Sequence, residues 1–332
     1  MDERTTENDV NALVLGGTGF VGRVITKYLA NTPGVNVTVA ARRKVLTDDT
    51  EFLQLDGTNT DLLTKSLSDM QVVVNCITGS GDVIRENASA VVEACRNNES
   101  RIKIIHMSSM AVYGNQQGHV NESTSVSDDG NWYGKAKIDA ENTIGSYGES
   151  GGSSTILRIG CVYGPNSALW VDRVGLLLRG GRLGDLGTLG DGWSNLVHVD
   201  DIAKAVVLDL SDRSTGTRTY NMSAPDSPRW NDYFKDFSLA IGRTPIKYKT
   251  SYAMALESKV IAPPLKALER LASKGLFFPL KIQSMPPSLL RLWCQHIKLD
   301  SAKISADLGL EWTPYKDGLQ NSIAHFKLTN DQ

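Results

Sequence analysis

The chain is poor in cysteine, in charge of one sign and in long apolar runs, and each shortage removes a class of function. Its four cysteines, Cys76, Cys95, Cys161 and Cys294, lie far apart in 332 residues, three of them in apolar or helical surroundings. That fits reduced, packed thiols better than a disulfide frame, and it predicts a cytoplasmic protein. No group of His, Cys and Asp recurs at ligand spacing, so no bound metal is expected. Net charge is −2 and there is no block of like charges, which makes nucleic acid an unexpected partner. No run of about 18 uncharged apolar residues occurs, so no transmembrane segment is predicted. The opening "MDERTTENDV" is acidic and polar, without the basic and then apolar pattern of a signal peptide.

What is present is alternation. Short β-branched runs at 11–17 ("NALVLGG"), 35–41, 51–56, 71–76, 101–109 and 154–160 are separated by helical patterns, clearest at 20–31, 82–98 and 132–147. Such runs mark a parallel sheet covered on both faces, hence a doubly wound α/β fold with its ligand at the carboxyl ends of the strands. After residue 165 the rhythm fades, glycine becomes dense at 179–193, and the later segments look mostly helical. The predicted organisation is a dinucleotide-binding domain over 1–165, revisited by about 192–224, with a smaller, mainly helical substrate-binding portion over 166–191 and 225–332. The apolar stretch 253–299 reads as a helical lid or an oligomer surface, kinked at Pro263, Pro264, Pro286 and Pro287. A membrane-surface helix calls for a more basic polar face than the sequence offers there.

"LVLGGTGFVG" sets Gly16, Gly19 and Gly22 directly after a strand and at the mouth of a helix. The three glycines suit a tight turn, a close approach of backbone to pyrophosphate and close packing of helix on strand, and the helix N-terminus supplies N–H donors. Gly16, Thr18, Gly19, Phe20, Val21 and Gly22 are therefore the candidate dinucleotide cradle, of Rossmann type. At the end of the second strand, where an acidic residue would bind a ribose hydroxyl, the chain has Ala41 and then Arg42, Arg43 and Lys44. Cations suit a 2′-phosphate, which favours NADP over NAD. Asp56, after the third strand, is a candidate acceptor for the adenine amino group, or else a cap for the next helix.

With "HMSSMAVYG" (106–114), "YGKAK" (133–137), "LRIGCVYGP" (157–165), "GDGWSNLVHVDDIAKAV" (190–206) and "TYNMSAP" (219–225) following in order, the chain resembles the extended short-chain dehydrogenase/reductases, the group of NAD-dependent epimerases and dehydratases. The match spans 13–225, and a weaker one covers 299–319. The resemblance implies that Ser109, Tyr133 and Lys137 are the catalytic set, with Tyr133 and Lys137 also touching cofactor. It also implies a homodimer. Tyr-x-x-x-Lys spacing alone means little among 10 tyrosines, but the chemistry needs these types, because reducing a carbonyl requires a hydride on carbon and a proton on oxygen. Bringing a phenol from a pKa of about 10 to about 7 takes roughly 4 kcal/mol. An ammonium about 5 Å away supplies roughly 3 kcal/mol at an effective dielectric near 20. Lys137, one helical turn away, is thus expected to lower the Tyr133 pKa and hold a ribose hydroxyl, while Ser109 hydrogen-bonds the substrate oxygen.

Other polar residues take plainer readings. His106 and His198 sit in apolar runs as satisfied core histidines, and Asp200 and Asp201 cap a helix from 202. Two departures from the family pattern bear on the reaction. Met110 and Ala111 stand where dehydratases carry Asp and Glu, which disfavours elimination. Ser194 and Asn195 stand where many sugar-nucleotide enzymes carry a diphosphate-binding Arg. The first reading is therefore an NADP-dependent ketone reductase or alcohol dehydrogenase acting on a small, hydrophobic carbonyl compound. The alternatives are a sugar-nucleotide epimerase, with Arg173, Arg182 or Arg229 replacing the missing Arg, and a non-catalytic NADP-binding regulator. Substrate identity and the direction of hydride transfer stay open.

Overall fold

A computed structural model describes residues 9–43, 50–212, 214–273 and 283–330. Lys44 of the basic turn and residues 274–282 of the apolar stretch lie outside the described residues. The first half runs β1 (Val10–Leu15), α1 (Phe20–Ala30), β2 (Val35–Ala41), β3 (Glu51–Gln54), α2 (Thr60–Ser66), β4 (Val72–Asn75), α3 (Gly81–Arg96) and β5 (Lys103–Ser109). A 3₁₀ turn over Met110–Tyr113, β6 (Gly118–Val120), α4 (Trp132–Glu149), β7 (Ser153–Ile159) and β8 (Cys161–Tyr163) follow. Then come α5 (Arg173–Arg179), β9 (Leu196–His198), α6 (Val199–Asp209), β10 (Gly216–Met222) and α7 (Trp230–Ala240). The end is built from α8 (Ser251–Leu256), α9 (Ala262–Ser273), α10 (Pro287–Trp293), β11 (Ile297–Leu299), α11 (Ala302–Leu308) and α12 (Tyr315–Asn330).

Seven parallel strands form the main sheet in the order β3-β2-β1-β4-β5-β7-β10. Alternate residues of the same strands feed opposite layers. Leu13, Leu15, Val73 and Ile104 pack with Ile84 and Val91 of α3 and Ala136 and Ile144 of α4. Ala12, Val14, Val72, Val74 and Ile105 pack with Ile25 and Leu29 of α1 and Ile202 and Val206 of α6. Burial on both faces is why these strands read as continuous apolar runs. The predicted Rossmann-type sheet is therefore the one the chain forms, and its direction of winding reverses between β1 and β4, where such sheets open a ligand crevice. A third cluster, rich in aromatics from α7, α10 and α12, includes Trp230, Phe234, Phe237, Trp293 and Phe326.

Three local expectations are corrected. The strand of "NLVHVDD" does not join the main sheet: β9 pairs with β8, and it is β10 that returns to the sheet edge beside β7. α6 starts at Val199, not 202, and its cap is His198, whose Nδ1 accepts from the Asp200 N–H at 3.4 Å. Asp201 instead accepts from the Thr313 N–H and the Lys204 ammonium, tying α6 to the chain before α12. Nor do Pro263 and Pro264 break their helix. They sit in the first turn of α9, behind a π turn over Glu257–Ile261 that joins α8 to α9. Pro286 and Pro287 open α10 at its cap and first position, where a lost N–H costs nothing.

Candidate active site

The crevice beside β1 is a cleft of about 750 Å³ lined by Gly16, Thr18 and Gly19 after β1, Arg42 and Arg43 after β2, and Asp56 after β3. Ile77 and Thr78 after β4 close its far wall. Gly22 shows why this loop needs glycine: a Cβ there would lie 2.4 Å from the Gly16 carbonyl oxygen, so any side chain would push α1 off the loop. The N-cap of α1 is Gly19, which brings no side chain to the helix end, leaving that end to other acceptors. A dinucleotide fits this donor set, with glycines and a helix N-terminus for the pyrophosphate and two guanidinium groups beyond β2. Phe20 and Val21 are the first residues of that helix. Asp56 is not a helix cap. Its Oδ1 accepts from the Thr58 N–H at 3.1 Å and the Thr58 hydroxyl at 2.9 Å, and the cap of α2 is Asn59.

Residues not foreseen from the sequence hold the cleft in shape. Asn75, buried at the end of β4, donates from Nδ2 to Asn87 Oδ1 at 2.7 Å and accepts on Oδ1 from the Ile77 N–H at 3.2 Å. Asn87 on α3 donates in turn to the Gly57 carbonyl at 2.7 Å, fastening the β3 turn to the β4 end. An Asn closing the apolar run "VVVN" is the signal that was available, since a buried amide must find partners.

Tyr133 and Lys137 lie on α4, whose N-cap Asn131 accepts from the Tyr133 N–H at 3.1 Å. Ser109 ends β5 and caps the 3₁₀ turn by accepting from the Ala111 N–H at 3.2 Å. The two segments meet closely, because a Cβ on Gly134 would fall 2.6 Å from the Ala111 carbonyl oxygen. Ser109 and Thr78 both lie within electrostatic reach of the Tyr133 hydroxyl. Burial pushes the Tyr133 pKa above its ordinary value, and the hydrogen bonds offered by Ser109 and Thr78 pull it back.

Lys137 differs from expectation. It is 2% exposed, and its ammonium donates to the Met107 carbonyl of β5 at 2.7 Å. Burial brings its pKa down to about 8, against the opposing pull of Glu141 and Cys76. One N–H of the ammonium is thus held by the strand, and the groups that lower Tyr133 are two hydroxyls. Below it, Glu141 accepts from Ser108 Oγ at 2.5 Å and pairs with Arg158 at 2.8 Å, and Arg158 reaches the Tyr113 hydroxyl at 2.9 Å. Sequence reasoning missed Thr78, Glu141 and Arg158. His106 and His198 are buried as expected, and Nδ1 of each is hydrogen-bonded, to the Asn75 amide at 3.2 Å and to the Asp200 N–H at 3.4 Å, while the Nε2 of each has no protein partner among the described residues.

Met110 is buried and Ala111 partly so, leaving no carboxylate next to Ser109. Ser194 donates to the Pro228 carbonyl at 2.6 Å, while Asn195 bridges Ile297 and Leu299 of β11 at 2.9 Å each. The three candidate replacement arginines are all engaged. Arg173 donates to Gln283, Arg182 pairs with Glu257, and Arg229 donates to the Asp191 carbonyl while lying 4.5 Å over the Trp193 ring.

The model of the NAD dependent epimerase/dehydratase family matches residues 12–223. The chain belongs to that family. Its members are nicotinamide-dependent oxidoreductases and epimerases, and the cleft, the glycine loop and the Tyr133 helix all fall inside the matched region. Solved structures similar in fold include the UDP-glucuronic acid 4-epimerase of Bacillus cereus in complex with UDP-glucuronic acid and NAD, 19% identical with a TM-score of 0.72, covering 96% of this chain and 100% of that one. The dTDP-glucose 4,6-dehydratase of Bacillus anthracis in complex with NAD is 18% identical at a TM-score of 0.73, covering 97% and 98%. The UDP-glucose 4-epimerase of Thermus thermophilus in complex with NAD is 20% identical at 0.70, covering 96% and 99%. Among curated proteins, "Protein YeeZ" from two strains of Escherichia coli is 30% identical over 149 residues, 45% of this chain. The match spans half the length of those relatives.

Proposed function

We propose that the protein transfers a hydride between a nicotinamide dinucleotide and a secondary alcohol or ketone carbon of a small molecule. The observation that carries this reading is that Thr78, which lines the glycine-loop cleft, acts together with Ser109 on the Tyr133 hydroxyl. A bound nicotinamide supplies or accepts the hydride. Tyr133 gives the proton to the substrate oxygen as carbonyl becomes alcohol, and takes it back in reverse. Its raised pKa keeps the free chain in the protonated, donating form. Ser109 positions the same oxygen, and Lys137 fixes α4 against β5 and offers its remaining N–H groups toward a ribose.

Within this chemistry, sugar-nucleotide epimerisation takes first place over the ketone reduction expected from the sequence. The similar structures include sugar-nucleotide enzymes that hold NAD. Ketone reduction keeps second place for one reason: Arg173, Arg182 and Arg229, the three candidates for holding a diphosphate, each already have a protein partner. On the cofactor, Arg42 and Arg43 in the cleft favour NADP, although the neighbours hold NAD. One assay separates these readings. Incubation with UDP-glucose or UDP-glucuronic acid should yield the epimer with no net change in nicotinamide absorbance, and the copurifying nucleotide identifies the cofactor. Steady NADPH consumption with a panel of ketones, and inert UDP-sugars, would reverse the order.

A further inference from the structure

The helical arm Ser251–Ser273 carries a face that the cleft does not use. Met254, Glu257, Ser258 and Ala262 turn inward and are buried. On the other flank, Tyr252 is 78% exposed, Leu256 43% and Val260 60%, with Ile261, Leu268 and Leu271 continuing the row. The π turn over Glu257–Ile261 places two apolar side chains, Val260 and Ile261, where a regular turn would place one. Large apolar side chains in a contiguous exposed row mark an interaction surface rather than scattered residues.

Charge identifies the partner. Exposed Lys259 and Lys266 lie on the arm, and exposed Arg243 and Lys247 precede it in the chain, whose net charge is −2. The acids between residues 241 and 273 are Glu257, which is buried and neutralised by Arg182, and Glu269, which Arg270 follows directly. Over residues 241–268 the exposed ionised groups are therefore all cations. This is the feature the sequence conceals, because Glu257 reads there as a surface charge. An apolar row flanked by cations suits an anionic phospholipid surface, where the side chains enter the headgroup boundary and the lysines meet lipid charge. A second copy of the chain joined by a two-fold axis would set the same cations against one another.

We infer that the arm Ser251–Ser273 docks the protein onto an anionic membrane surface, with Tyr252, Leu256 and Val260 inserted and Lys259 and Lys266 on the lipid charge. The inference does not depend on which hydride-transfer reaction the cleft performs. It is tested by co-sedimentation of the full chain with vesicles of phosphatidylcholine alone and of phosphatidylcholine with phosphatidylserine. The protein should pellet with the anionic vesicles only, and less as salt is raised. Lys259→Gln and Lys266→Gln should each weaken binding about fivefold. The Tyr252→Ser/Leu256→Ser/Val260→Ser variant should abolish binding with its thermal midpoint retained, as the three side chains are exposed. Failure to pellet with anionic vesicles, equal pelleting with neutral ones, or binding unchanged in the triple variant would each overturn the inference. So would a concentration-dependent dimer that the triple variant dissociates without any vesicle binding, since the occupant would then be a second copy.

Discussion

Lys137 is where the residue scale departs most from the sequence. The expected i to i+4 partnership with Tyr133 holds in backbone geometry, but one N–H of the buried ammonium is held by the Met107 carbonyl, and its pKa falls from 10.5 to about 8. The sign of the linkage follows. Between those two values the unfolded chain binds the proton and the folded chain does not, so folding gains stability as pH rises through that window. The penalty is full below pH 8, at about 3 kcal/mol. Lys137→Met removes the titrating group. The difference in unfolding free energy, wild type minus variant, should therefore rise by roughly 2 kcal/mol between pH 7.5 and 9.5 in urea titrations. A flat difference would show the ammonium to be better solvated than its burial implies. The types Ser, Tyr and Lys were legible in the sequence. Thr78 was not, because only the fold brings the end of β4 to α4.

At the scale of elements, α4 carries Tyr133, Lys137 and Glu141 at four-residue steps, so one helix face presents the phenol, then the ammonium, then the carboxylate paired with Arg158. What aims this face is the contact of Gly134 with the turn after Ser109. Gly134→Ala would place a methyl 2.6 Å from the Ala111 oxygen and lift the first turn of α4 away from β5. Turnover should fall at least tenfold with nucleotide affinity changed much less, measured by nucleotide titration alongside the epimerase and ketone assays. Unchanged turnover would mean that the Ser109–Tyr133 spacing is not critical. Helices α1, α3 and α4 were readable from their amphipathic patterns. The β8–β9 pair was not, since strands of three residues carry too little pattern to reveal whom they pair with. The π turn before Pro263 likewise depends on how the flanking helices pack.

For the whole molecule, the nucleotide half was legible because its contacts follow chain order: strand, loop and helix repeat, and parallel strands buried on both faces announce themselves as apolar runs. The rest depends on distant partners. Trp230 and Trp293 pack with ring centroids 6.3 Å apart although 63 residues separate them, and no local pattern predicts that. The reaction was the least legible, because the family fold serves several chemistries and engagement of Arg173, Arg182 and Arg229 is visible only in three dimensions. The claim that unites the molecule is that Tyr133 moves the proton in a reaction served by the nucleotide cleft, to which Thr78 links it. It is tested most directly by turnover of Tyr133→Phe, with nucleotide affinity measured on the same preparation. The account predicts affinity within about twofold of wild type and turnover reduced roughly 10²- to 10⁴-fold. Turnover equal to wild type in that variant would contradict it.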